Sequence, residues 1–91
     1  MLEANDDLND IKAYLNQFYP GTTGRFIKLL KKRITHLKSF PYLCPVYEED
    51  DDYRKLVVGD YLVFYIVNED IEFIEIHRIF HGSRDVKQYF P

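Results

Sequence analysis

Apolar residues recur at helical spacing in the first half of the chain and at strand spacing in the second. Leu8, Ile11, Leu15 and Phe18 stand three or four apart, which predicts a first helix capped by Asn5 or Asp6 and running to Phe18, where Pro20-Gly21 stops it. A second helix is predicted from a Thr22 or Thr23 cap to about Lys38. Its apolar face is Phe26, Leu30, Ile34 and Leu37, with Ile27 beside them and the lysines opposite. The short loop between them makes an αα-hairpin. From Tyr53 onward, β-branched and aromatic residues fill three runs of strand length. Gly59-Asp60 makes a tight turn between the first two runs, and Asn68-Glu69-Asp70 turns the chain into the third, residues 71–79.

A three-stranded antiparallel meander is too weak alone and must bury one face on the helical hairpin, so the fold class is α+β. Ser39 to Asp52, with Pro41, Pro45 and an acidic run, reads as a long irregular connection pinned to the core edge by Phe40, Tyr42, Leu43 and Val46. Tyr61, Val63, Tyr65 and Val67 share one face of the middle strand, and Leu62, Phe64 and Ile66 share the other. In the third strand Ile74 and Ile76 oppose Phe73, Glu75 and His77. The sheet face away from the helices therefore offers apolar surface, either for a partner or for the tail Val86–Pro91 with Tyr89 and Phe90.

Composition narrows the class further. Ninety-one residues with 46% hydrophobic and 16% aromatic content fit one small domain, 1–91, with a real core and modest stability without a partner. The single cysteine, Cys44, has no internal disulfide partner and reads as a small buried apolar residue in a reducing cytoplasm. No charged segment followed by an apolar one, and no run long enough to cross a bilayer, indicates export or membrane insertion. Net charge is −3. It is unevenly spread, since Arg25, Lys28, Lys31, Lys32, Arg33 and Lys38 lie together without an acid while Glu48, Glu49, Asp50, Asp51 and Asp52 are consecutive. Both runs read first as solvated surface. An acidic pI near 5.5 weighs against an activity that depends on neutralising RNA phosphates.

Motifs for metal or nucleotide chemistry are absent from the sequence. It holds no Gly-rich phosphate loop, Cys-x-x-Cys or His-Glu-x-x-His. His77 and His81, four apart on a strand, do not point at one metal, and Glu48–Asp52 lacks the spaced donors and central glycine of a calcium loop. No metal and no cofactor is expected.

The order of pieces is more specific than any motif. Two helices precede Arg54-x-Leu56-x-Val58-Gly59-x-Tyr61-x-Val63-x-Tyr65, and a strand then ends in His81-Gly82-Ser83-Arg84-Asp85. Over nearly the whole chain this resembles the RelE/ParE superfamily of bacterial type II toxin–antitoxin toxins, with the ParE-like branch closest. The resemblance implies a cognate antitoxin and one of two activities, inhibition of DNA gyrase by protein contact or ribosome-dependent cleavage of mRNA. For the nuclease, which needs acid–base groups and cations at the scissile phosphate, the candidates are Arg54, His77, Arg78, His81, Arg84 and Tyr89. RelE-like nucleases carry an arginine directly after the tyrosine that opens the middle strand. Here that position is Leu62, and losing one preorganised cation costs ~3–4 kcal/mol of transition-state stabilisation. The ParE-like, non-enzymatic reading is therefore expected, with mRNA cleavage or an inactive antitoxin-binding form as alternatives. Arg54, Leu62, Phe64, Phe73 and Arg84 are the expected antitoxin contacts. The family's first helix also normally follows a β-strand, of which only Met1 and Leu2 would remain. A vacant sheet edge, open to pairing with a second copy as a homodimer, is expected.

Overall fold

The computed structural model describes residues 2–70 and 73–83. Two helices, α1 (Leu2–Phe18) and α2 (Thr23–Ser39), precede four strands, β1 (Val46–Tyr47), β2 (Asp50–Val58), β3 (Tyr61–Asn68) and β4 (Phe73–His81). The strands form one antiparallel sheet in the order β1-β2-β3-β4. The α+β class is as expected from the sequence. The sheet has one more strand than expected, because the connection after α2 contributes β1.

Helix α1 begins earlier than its periodicity predicts. Leu2 is already helical and Ala4 is buried, so Leu2 is no remnant of a preceding strand. Glu3, an acid in the first turn, suits the positive end of the helix dipole. Ile11 and Leu15 are buried as the pattern requires, whereas Phe18 is exposed and meets the Tyr14 ring. Thr22 precedes α2 without capping it through its side chain. Its hydroxyl instead donates to the Tyr19 carbonyl at 2.7 Å, while Thr23 Oγ1 donates to Asn16 Oδ1 at 2.6 Å and ties the two helices.

The main core lies between the helices and one face of the sheet. It joins Ile11, Leu15, Leu30 and Leu37 to Leu56, Val58, Tyr61, Val63, Tyr65 and Ile79, with Phe26 and Ile34 packed against them. Each fully buried aliphatic side chain there, such as Leu37 or Val63, is stabilising by ~1.5–3 kcal/mol. Cys44 is buried in the same cluster.

Gly59 takes φ +58° and closes the two-residue connection from β2 to β3. Past the end of β4, the Gly82 N–H donates to the Asp60 carbonyl at 2.8 Å. A Cβ at position 82 would lie 3.2 Å from that oxygen, so a larger residue there would require the hairpin turn to give by a few tenths of an ångström.

A bulge in β4 decides which side chains reach which face. Val63 opposes Ile79 and Phe64 opposes Arg78, but Tyr65 opposes Ile76, leaving His77 as the extra residue. Ile76 and Ile79 therefore both face the helices although they stand an odd number of positions, three, apart. The alternation read from Ile74 and Ile76 is correct up to the bulge and reversed after it.

Candidate functional site

The outer face of the sheet is a second, aromatic core. Tyr47, Phe64 and Phe80 are buried there, with Tyr53 and Leu62 packed against them. Tyr47 meets Phe64 edge-on at 4.9 Å between ring centres, and Phe64 and Phe80 are 6.1 Å apart. The strand β1, in a stretch whose composition predicts an irregular connection, brings Tyr47 onto this face. Phe64 is 0% exposed. Its expected place on an open partner surface is corrected: it packs under neighbouring rings, while Leu62 is half-buried and Phe73, at 64%, is the most exposed large apolar residue among those described.

The two candidate arginines of the described strands lie on opposite faces. Arg54 is paired with Tyr65 across β2 and β3, so it points to the helix side. There its Nη1 donates to the Cys44 carbonyl at 2.6 Å, and the guanidinium lies 5.0 Å above the Tyr42 ring. Arg78 is paired with Phe64 and lies on the outer face, stacked 4.5 Å over Phe80. Its guanidinium donates to both Asp7 oxygens at 2.8 and 3.0 Å and to Glu3 at 3.3 Å. Asp7 Oδ2 also accepts the Ile79 N–H at 2.9 Å. One α1 carboxylate thus holds the arginine and satisfies a backbone donor of the edge strand β4. The sequence showed Asp7 only as an acid near a helix start, and nothing in its spacing identified the partner 71 residues away.

The two histidines make different contacts. His77, at the bulge, meets Tyr53 edge-on at 5.4 Å, and its Nε2 is 3.9 Å from Glu75. That nitrogen is buried with no hydrogen-bond partner among the described residues. His81, at the end of β4, accepts the Ser83 N–H on Nδ1 at 3.1 Å, which puts the proton of the neutral ring on Nε2. It borders a groove of about 310 Å³ shared with Asp10, Tyr14 and Tyr61. Arg84 and Tyr89 lie outside the described residues.

The tyrosines near these groups are held neutral. Tyr65 is shifted well above the usual phenol range, chiefly by burial and then by the neighbouring Cys44, and its hydroxyl donates to the Pro41 carbonyl at 3.0 Å. The Tyr42 phenol is raised by its hydrogen bond to Glu69, with burial and the Glu69 charge adding to it and Arg54 opposing. Burial raises Tyr53, with Asp50 and Asp52 adding to it. Asp50, Asp51 and Asp52 each bring a carboxylate oxygen within 4.8 Å of the others, on a largely exposed stretch of β2.

Of the described candidates, Arg54 and Arg78 are each held by their own acceptor on opposite faces of the sheet. The fold defines the class as α+β, a helical hairpin followed by one four-stranded antiparallel sheet. The family model for the ParE toxin of the type II toxin–antitoxin system, parDE, matches residues 1–86, and the chain belongs to that family. No curated protein matches the chain. Among the described residues, no helix is long and apolar enough to cross a membrane.

Proposed function

We propose that this type II toxin acts in the ParE manner, inhibiting DNA gyrase or a related topoisomerase by protein contact in the cytoplasm, and is neutralised by its cognate antitoxin. The observation that carries this reading is the separation of Arg54 and Arg78. One is bound to a backbone carbonyl on the helix side and the other is clamped by Asp7 on the outer side. Leu62 stands on the outer face, where a nuclease of the superfamily would place a cation. A metal-free RNA cleavage site needs its cations preorganised around one phosphate, and these two serve different faces.

Antitoxin contact is proposed for the exposed Phe73 and half-buried Leu62 on the outer face, together with Arg84, with Phe64 as the support beneath rather than a contact. Arg54 would take part only if its bond to Cys44 opened. Self-association through the β4 edge would have to displace Asp7 from the Ile79 N–H, so a monomer or an antitoxin complex is the favoured form.

Purified toxin should slow supercoiling by gyrase or stabilise its cleaved complex, and should leave mRNA intact on translating ribosomes. Codon-specific cuts in a translation extract would replace this reading with mRNA cleavage. Antitoxin binding without effect on either target would identify an inactive form.

A further inference from the structure

Helix α2 carries six of the twelve lysines and arginines and none of the fifteen acids. Arg25, Lys28, Lys31 and Lys32 are all exposed, opposite the buried Leu30 and Leu37. At 100° per residue these four cations fall within one third of the helix circumference, with the exposed His36 continuing the stripe for another turn. No ion pair engages any of them among the described residues, where the salt bridges involve His77 and Arg78.

The arrangement opposes helix stability. Arg25 sits in the first turn, where no acid is present to meet the positive end of the dipole. Lys28 and Lys32 are like charges four apart. The remainder of the molecule is acidic, so the positive potential is confined to this one face.

We propose that the exposed face of α2 is a contact surface for the phosphate backbone of duplex DNA. Charge complementarity supports a polyanion. The face has no aromatic residue between Arg25 and His36 except the inward-facing Phe26, so it lacks the stacking platform that single strands use. Its one exposed large apolar residue is Leu29, too little to anchor an acidic peptide, whose docking depends on apolar contacts. Rows of cations on a regular helix, one turn or about 5.4 Å apart, suit an evenly charged backbone. Without side chains that read base edges in a defined pattern, the contact should be independent of sequence.

The proposal goes beyond the topoisomerase reading and is tested apart from it. Fluorescence anisotropy with a labelled 20-base-pair duplex, using the full chain, should show binding that weakens with salt. Four phosphate contacts give a slope of log K against log salt of about −3.6, or on the order of 100-fold loss between 50 and 200 mM. The triple variant Arg25→Gln/Lys28→Gln/Lys32→Gln, with helix content checked by circular dichroism, should reduce that slope to about −0.9. Lys55→Gln, on β2, should leave it unchanged. Absence of wild-type binding at 50 mM salt, or an unaltered slope in the triple variant, overturns the proposal. So does loss of antitoxin affinity in that variant when the wild type binds no duplex, which would assign the stripe to an acidic peptide. Gyrase inhibition without duplex binding refutes this inference alone, whereas duplex binding without inhibition refutes the topoisomerase reading alone.

Discussion

The two faces of the sheet are made by the same strands but are covered by different means. On the helix side, aliphatic residues of α1 and α2 fall onto Leu56, Val58, Val63 and Ile79, and the cover comes from elements that the sequence pattern designed for it. On the outer side, Phe64 and Phe80 are covered by a two-residue strand that brings in Tyr47, and by an arginine held flat on Phe80 through a carboxylate from α1. The first cover is redundant, since several side chains share each contact. The second depends on a few long-range interactions, so single changes there should have sharper effects than their position at the surface suggests.

Truncating one buried residue on each face tests this contrast most strongly. Phe64→Ala should destabilise the domain by ~3–5 kcal/mol and Leu37→Ala by ~2–5 kcal/mol, measured by urea denaturation. A cost near 1 kcal/mol at Phe64 alone would mean that the outer aromatic cluster is not a core. If the cluster is a core, antitoxin binding lost in Phe64→Ala reflects unfolding, and Phe73→Ala is the better probe of contact.

A smaller effect is expected at the clamp between α1 and β4. Asp7→Ala should cost ~2–3 kcal/mol, because the partly buried Arg78 loses its bidentate partner and the Ile79 N–H loses its acceptor. Asp7→Asn keeps an acceptor for that N–H and should recover ~1 kcal/mol of this loss. Equal losses in the two variants would show that the backbone bond contributes nothing. Hydrogen exchange at Ile79 resolves the same point directly, since only the alanine variant should expose its amide.

The smallest effect separates the faces by pH. The raised ionisation of Tyr65 means that folding favours the neutral phenol. Its contribution is fully present below the unfolded tyrosine value near pH 10 and is lost as pH rises above it. Tyr65→Phe should cost ~1 kcal/mol at neutral pH through the lost bond to Pro41, and should soften the fall in stability between pH 9 and 11. A variant with the same alkaline slope as the parent would place that sensitivity elsewhere, with Tyr42, Tyr53 and Tyr61 the other raised phenols.

Sequence alone determined both helices, the Gly59-Asp60 hairpin and the helix-side core, because these rest on local period and turn chemistry. Leu30, Leu37, Val63 and Tyr65 announce their burial through spacing, and Gly59 through its conformational freedom. The family was legible for the same reason, as an order of elements. Tertiary structure alone decided what lies between distant segments. The His77 bulge reverses the side-chain alternation of β4 at one residue, and no period in the sequence marks it. β1 exists because β2 offers an edge to the connection after α2, and a two-residue strand is too short to carry a pattern. The roles of Arg54 and Arg78 were assigned by the carbonyl of Cys44 and the carboxylate of Asp7. An arginine is an available cation in a sequence, and its chemistry changes only when the fold delivers an acceptor to it.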